Sequence, residues 1–428
     1  MSLDSLPYFI LEEICDYVVL SQNQGENPQR SLWPFSSASR RCYSAAATIL
    51  FRQIRVESSS IVSFAEDLKG WDKILTTGNH IRHVRELILM YPNDGNDNNE
   101  DYDAFYGAHL RLRPASVTLS KHWLVNTTTE TDQEMWQTLS RLIGGMHGLR
   151  DFVFAIPYHL DRSVLNAIHT VGCRLHMHCF SLPSLYQPKS DPGDISPDDY
   201  ALITSPSLYS IVLSTAIYDM RGLVDYHKEA LLRMLAGTSP NLAHVWLRDR
   251  PLPGTLALQR AIRSPRPRWP GFFPRQEQKH EELSMGGLKT LVFPDTPMDR
   301  QDLASFSRAT DFSKLACLSL TFKWYDARSY RRCCECLNEM LKMAETGQFA
   351  SLEALSLHYC RGPSGGDHGE FLATLIKFFK TIRPLQSLYL TNHNFTPSET
   401  LSAAISRHTL TPGCRLYSEA STANQLSP

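Results

Sequence analysis

A chain of 428 residues has room for one elongated repeat domain plus a small module, or for two or three ordinary domains. Its 42% apolar and 20% charged residues exclude a mostly disordered chain, and 43 Lys plus Arg against 44 Asp plus Glu leave no global field to steer it toward nucleic acid or an anionic membrane, neither of which is an expected partner. The opening MSLDSLPYF lacks a basic region followed by an apolar one, and no uncharged apolar run approaches the roughly 20 residues needed to span a bilayer. The expected setting is therefore intracellular, cytoplasmic or nuclear, with the ten scattered cysteines reduced and mostly buried.

The first elements are helical. Leu6, Ile10, Ile14 and Val18 fall at helical spacing, and Leu11 and Tyr17 widen the stripe. Pro7 suits a first helical turn, where its missing N–H is no loss, and Asp4 and Ser5 offer acceptors just upstream. After the polar stretch SQNQGENPQRS, the residues Phe35, Ala38, Cys42, Ala45, Ile49 and Phe51 are spaced for one or two further short helices closing over the first. A module of about fifty residues has little core of its own. Such apolar helices gain by packing on a partner or by capping the domain behind them, and the pattern alone leaves both open.

Leu6-Pro7 followed by ILEEI, then the segment Ser39 to Tyr43 and a closing LFRQI from Leu50 to Ile54, resemble an F-box. That family's pattern begins Leu-Pro-x-Glu-Ile-Leu and ends near Leu-Phe-Arg-x-Ile. The chain resembles a divergent F-box protein of the fungal type over roughly its first 56 residues. The resemblance implies docking onto a Skp-type adaptor carried by a cullin scaffold, with Leu6, Pro7, Ile10, Leu11 and Ile14 in the interface. Phe9 stands where the family commonly has an acidic residue, and the link between the first two helices is longer than usual.

Beyond the module the frame LxxLxL, or a close variant, recurs eight times, starting at Val84, Leu149, Leu208, Leu242, Leu288, Leu315, Leu352 and Leu385. Each frame describes a short strand with one buried face. Stretches between frames, such as GLVDYHKEALLRML and GEFLATLIKFFKTI, carry helical stripes. One strand plus one helix per stacked unit is the leucine-rich-repeat arrangement, and Cys360 falls at the ninth position of its unit, where such repeats take Asn or Cys. Spacings from 27 to 65 residues mark a degenerate array with insertions after Met90, after Phe180 and between Arg248 and Gly287. Gly-Cys-Arg-Leu recurs at Cys173 and Cys414, each time leading from a helix into an expected strand.

In such a solenoid the leucines point inward and the alternate strand residues line a concave parallel sheet open to a protein substrate. That face includes Glu86, Asp151, Ser210, Thr290, Ser319 and Thr321, with Trp246, Arg248, His244, His358 and Tyr389 as the substrate-binding candidates. The stretch RSPRPRWPGFFPR from Arg263 has four arginines and no acid. It is expected to be a solvated loop, although an acidic or phosphorylated partner would suit it. No phosphate-cradling glycine loop, HExxH or GxSxG occurs, Cys333, Cys334 and Cys336 read as buried thiols, and His176 and His178 lack a third ligand, so neither an enzyme nor a cofactor or metal is expected.

These readings predict an α/β chain. A small all-α F-box module spans 1–56, a connecting helix or linker 57–80, a degenerate leucine-rich-repeat solenoid with a parallel concave sheet and outer helices 81–418, and a disordered tail 419–428. The implied function is the substrate-recognition subunit of an SCF-type cullin-RING E3 ubiquitin ligase. The alternative is a leucine-rich-repeat scaffold or adaptor unconnected with a ligase.

Overall fold

A computed structural model of the chain describes residues 3–20, 28–58, 60–91, 130–188, 193–219, 222–249, 266–273, 285–324, 326–361, 369–393, 399–409 and 415–420. They form two compact units, one ending at His178 and the other beginning at Cys179.

The first unit opens with three helices, α1 (Tyr8–Leu20), α2 (Pro28–Ala38) and α3 (Arg40–Leu50). The Pro7 carbonyl accepts from the amides of Ile10 and Leu11, so α1 starts where proline's lost donor is harmless. Ser39 separates α2 from α3 with an extended backbone, and its Oγ caps α3 by accepting from the Cys42 N–H at 3.1 Å. Leu11, Cys15, Leu32, Cys42, Ala45, Ala46 and Leu50 close the core between the three helices.

After Phe51 the chain enters β1 (Gln53–Glu57), where Ile54 and Val56 point inward and Gln53, Arg55 and Glu57 outward. Strand β1 thus begins inside the 1–56 range expected for the module, and Ile54, which closes the LFRQI motif, is a buried sheet residue. The expected linker is α4 (Ile61–Thr77), capped by Ser60 and leading to β2 (Glu86–Met90). Then come α5 (Glu130–Gly145), β3 (Asp151–Ala155), α6 (Arg162–Val171) and β4 (Arg174–Phe180), of which the residues to His178 belong to this unit. Helix α6 stops at Gly172, whose φ of +74° is a left-handed conformation that glycine adopts without strain.

The second unit repeats the plan through β6 (Leu208–Thr215), α8 (His227–Arg233), β8 (His244–Asp249), β9 (Thr290–Pro297), α9 (Arg300–Ala309) and β10 (Cys317–Trp324). It continues with α10 (Ala327–Glu345), β11 (Ala354–Arg361), α11 (Gly369–Thr381), β12 (Ser387–His393), α12 (Glu399–Thr409) and β13 (Arg415–Ala420). In each unit these main-sheet strands lie in chain order, and every pairing described between them is parallel. Right-handed crossovers between strands in chain order put all the helices on one face. The helices accordingly pack side by side, α9 on α10, α10 on α11 and α11 on α12.

All eight sequence frames fall on these parallel strands, and both Gly-Cys-Arg-Leu segments lead into one, β4 and β13. A backbone regularity marks the frame. The carbonyls of Arg52, Arg85, Ala243, Lys289, Ala316 and Glu353, each the second residue of its frame, accept from two successive amides of the next strand, for example Lys289 and Thr290 on Ala243. Phe51-Arg52-Gln53-Ile54-Arg55-Val56 obeys the same rule and is a further frame, hidden in the sequence by its likeness to the end of an F-box. The fourth frame residue forms the buried layer: Val245, Leu291, Leu318, Leu355 and Leu388 stand in register with no more than 1% exposure. Burial of each leucine stabilises the array by about 1.5–3 kcal/mol.

The insertion after Phe180 is structured. A 3-10 turn (Pro183–Leu185) leads to β5 (Tyr186–Gln187), antiparallel to β7 (Val224–Asp225), and α7 (Pro197–Ile203) follows with Ser196 as its cap. Residues 266–273, expected in a solvated loop, instead pack on this insertion. The Phe272 carbonyl accepts from the Ile195 N–H at 2.9 Å, and the Tyr200 ring meets Phe273 edge-on at 4.9 Å. The apolar rings of the segment, not its arginines alone, decide its place. The insertion following Met90, residues 93–103, lies outside the described residues. So does 421–428 of the expected tail, while Glu419 and Ala420 belong to β13.

The eight described cysteines are unpaired and all but Cys179 are buried, including Cys333, Cys334 and Cys336 on α10. The backbone of Cys360 lies on β11, and its side chain is outside the described set. Among the described residues no helix is long and apolar enough to cross a membrane.

Candidate interaction surfaces

Helix α1 divides its apolar residues between two destinies. Leu11 and Cys15 are fully buried in the module core, and that burial pushes the Cys15 thiol up to about 11, with smaller contributions from Asp16, Cys42 and Glu12. Ile10 and Ile14 are half-buried. Pro7 is exposed, Phe9 is 59% exposed and Tyr17 is 72% exposed, while Trp33 on α2 is 58% exposed. Isolated apolar side chains at a surface are ordinary, but several large ones on one small module mark an interaction face.

The start of α1 is fixed against α3. The Arg41 Nη2 donates to the Leu6 carbonyl at 2.9 Å, and the Tyr8 hydroxyl donates to the Ser44 carbonyl at 3.0 Å. Of the five residues assigned to adaptor docking, Leu6, Pro7, Ile10 and Ile14 keep accessible surface. Leu11 does not, because its side chain fills the module interior. Sequence reading missed Phe9, Tyr17 and Trp33 as surface residues. The signal was present in part, since positions 9, 13 and 17 of a helix lie away from positions 11, 15 and 18.

Tyr43 on α3 and Phe51, just after its end, face the 3-10 turn His80–His83. The Phe51 ring stacks on His80 at 4.0 Å with planes 8° apart, and the Tyr43 hydroxyl and His80 Nε2 are 3.0 Å apart. Burial holds the His80 pKa below its usual value, with the Arg82 charge adding to the effect.

The helix-free face of the first unit carries a polar row across four strands, Gln53, Glu86, Asp151 and Arg174, in direct register. Arg174 forks onto Asp151 with Nε–Oδ1 at 2.6 Å and Nη2–Oδ2 at 2.8 Å, and His176 Nε2 lies 3.0 Å from Oδ1. Burial works to raise the Asp151 pKa, but the hydrogen bonds and charges of His176 and Arg174 outweigh it and bring it to about 2. Burial also raises the pKa of Glu86, against the Gln53 amide that donates to it at 2.6 Å. Burial, aided by the neighbouring His176, pushes His178 down to about 3, leaving a neutral imidazole. Among the described residues no three or more His, Cys, Asp or Glu side chains are placed to hold a metal ion.

The same face of the second unit departs from expectation. Trp246 and Tyr389 are 3% and 1% exposed and belong to one cluster with Val292, Cys317 and Ala354, with Val212 packed against it. The two rings flank strands bearing small residues and are closed to a macromolecular partner. His358, 8% exposed, lies 5.3 Å from the Tyr389 ring, with its Nε2 3.0 Å from the Ser356 hydroxyl. His244 remains half-exposed, with Nδ1 2.9 Å from the Thr290 hydroxyl and its ring 5.0 Å from Tyr209. Arg248, also half-exposed, sets its guanidinium carbon 5.6 Å from the centre of the Trp246 ring. The structure thus gathers Trp246 and Tyr389 into a buried cluster and leaves His244 and Arg248 accessible.

Comparison with protein-family models and with curated proteins finds no match to this chain.

Proposed function

We propose that the chain is the substrate-recognition subunit of an SCF-type cullin-RING E3 ubiquitin ligase. The N-terminal helices dock a Skp-type adaptor carried by the cullin, and the repeat units hold a protein substrate. One observation carries the reading: the three-helix module has a complete interior, yet Phe9, Tyr17 and Trp33 stand largely in water. Burying each such side chain in a partner is worth about 1.5–3 kcal/mol. The Leu6-Pro7 turn, just before Phe9 in the chain, is where the F-box resemblance puts the adaptor contact. Strand-helix units with every helix on one side fit a leucine-rich-repeat solenoid that continues the module. The chain contributes no catalytic group; it raises the local concentration of substrate at the ligase. The reading places it in the cytoplasm or the nucleus.

Pull-down with a purified Skp-type adaptor tests this. Wild-type chain retains the adaptor, and Ile10→Asp with Ile14→Asp reduces retention at least tenfold. Phe9→Ala, at a side chain 59% exposed, weakens it with unchanged folding. Failure of the wild type to bind, or binding indifferent to these substitutions, removes the ligase from the account. The stacking of Phe51 on His80 favours a second reading, in which the helices cap the first repeats of a scaffold or adaptor protein. Capping uses α3 and docking uses α1, so the α1 substitutions separate the two readings.

A further inference from the structure

Within the long insertion between β8 and β9, residues Arg266–Phe273 form no helix, join no strand ladder and bend at Gly271–Phe272, where Gly271 has a φ of +100°. They rest in an aromatic groove built by the segment between β6 and α8 together with Ile195 and Tyr200 from the insertion after Phe180. Tyr218, Val224 and Tyr226 form a buried cluster against which Trp269 packs. Trp269 meets Phe272 edge-on at 5.0 Å, and Tyr200 meets Phe272 at 6.1 Å and Phe273 at 4.9 Å. Arg266 is read by three groups at once. Its guanidinium forks onto the Glu229 carboxylate, with Nη2–Oε2 at 3.0 Å and Nη1 on Oε1. Its Nη2 also donates to the Asp225 carbonyl, and Cζ stands 5.4 Å from the centre of the Tyr226 ring. Pro267 and Pro270 favour an extended backbone with little entropy left to lose, the usual property of segments docked by aromatic grooves.

The segment around Asp225 is held by bonds of its own. The Asp225 carboxylate accepts from the Ala216 N–H at 2.9 Å, from the His227 N–H at 2.9 Å and from His227 Nδ1 at 2.6 Å. The other ring nitrogen of His227 accepts from the Leu182 N–H at 2.8 Å. These buried bonds pin the strand that presents the Asp225 carbonyl and Tyr226, and none of them involves residues 266–273. The occupant, by contrast, fits imperfectly: the Trp269 Nε1–H is buried without a hydrogen-bond partner among the described residues. Arg266 keeps 31% of its side chain exposed, so its end of the groove is open to solvent.

We propose that this groove is a binding site for a proline- and arginine-containing segment of a partner protein, and that Arg266–Phe273 is its exchangeable occupant in cis. The site is independent of the ligase reading, and its test needs no adaptor. The probe is a labelled synthetic peptide with the sequence of residues 266–273, titrated by fluorescence anisotropy into the full chain. Trp269→Ala with Phe272→Ala removes the anchors of the cis segment, and this variant is expected to bind the peptide at least tenfold more tightly than wild type. Adding Glu229→Arg abolishes that binding. Equal affinity for wild type and variant, or no binding to a variant whose circular dichroism is that of wild type, overturns the proposal. Should the variant unfold, wild type decides. Saturating peptide is expected to raise hydroxyl-radical labelling of the chain's own Trp269 and Phe272 side chains, and unchanged labelling there overturns the proposal as well.

Discussion

Phe9 and Leu11 are neighbours on α1 with opposite environments, one in solvent and one in the module core. Leu11→Ala is expected to lower unfolding stability by about 2–4 kcal/mol through the cavity it leaves. Phe9→Ala is expected to change it by no more than about 0.5 kcal/mol. Urea titration followed by circular dichroism checks both. The sequence stripe placed both residues on one helix but did not say which apolar side chains a fifty-residue module could bury. That depends on α2 and α3, whose small residues Ala45 and Ala46 let the helices approach where Leu11 enters.

Asp151 gives a pH-dependent test at the same scale. Its folded-state pKa of about 2 lies below the ordinary 3.8, so its pairing with Arg174 and His176 stabilises fully above about pH 5 and is lost as pH falls toward 2. Asp151→Asn is expected to cost about 1–2 kcal/mol at pH 7, allowing for the partial exposure of Arg174, and the gap between variant and wild type should close near pH 2. Denaturation midpoints measured from pH 7 to pH 2 provide the check. A gap that is constant with pH would show that the ion pair is not the cause. The row Gln53, Glu86, Asp151, Arg174 was only partly legible beforehand, because register across strands far apart in sequence is set by tertiary packing.

At the level of elements, the repeating frame was the readable feature, because inward residues recur with a strand's period of two and stack on equivalents in the next unit. Strand β1 escaped notice since Phe51 to Val56 satisfies two patterns, the end of an F-box and a repeat frame. Its membership of the sheet has a consequence. Removing residues 1–50 keeps β1 over β2, whereas removing residues 1–57 uncovers the hydrogen-bonding edge of β2. The longer truncation is expected to self-associate with rising concentration in sedimentation velocity, and the shorter one much less. Equal behaviour of the two would deny β1 its covering role. The opposite error occurred at the helix-free face, where alternation put Trp246 and Tyr389 on the correct side of the strands but not in solvent. Val292, Cys317 and Ala354 on the strands between them join the two rings in one buried cluster, a packing that is not written in a six-residue frame.

At the scale of the whole molecule, chemistry is absent from the proposed role and geometry carries it. A helical module with a finished core and an unfinished surface precedes stacked strand-helix units, each described within its own compact part of the chain. The insertions, which polar and Pro-rich composition marked as loops, include a pinned aromatic groove instead, because Tyr, Trp and Phe residues far apart in sequence meet there. The most direct test of the central claim is hydrogen–deuterium exchange of the full chain with and without a Skp-type adaptor. Slower exchange confined to α1 and α2, with β8 to β12 unchanged, is the expected result. No slowing in those helices, or slowing only in the strands of the second unit, would contradict it.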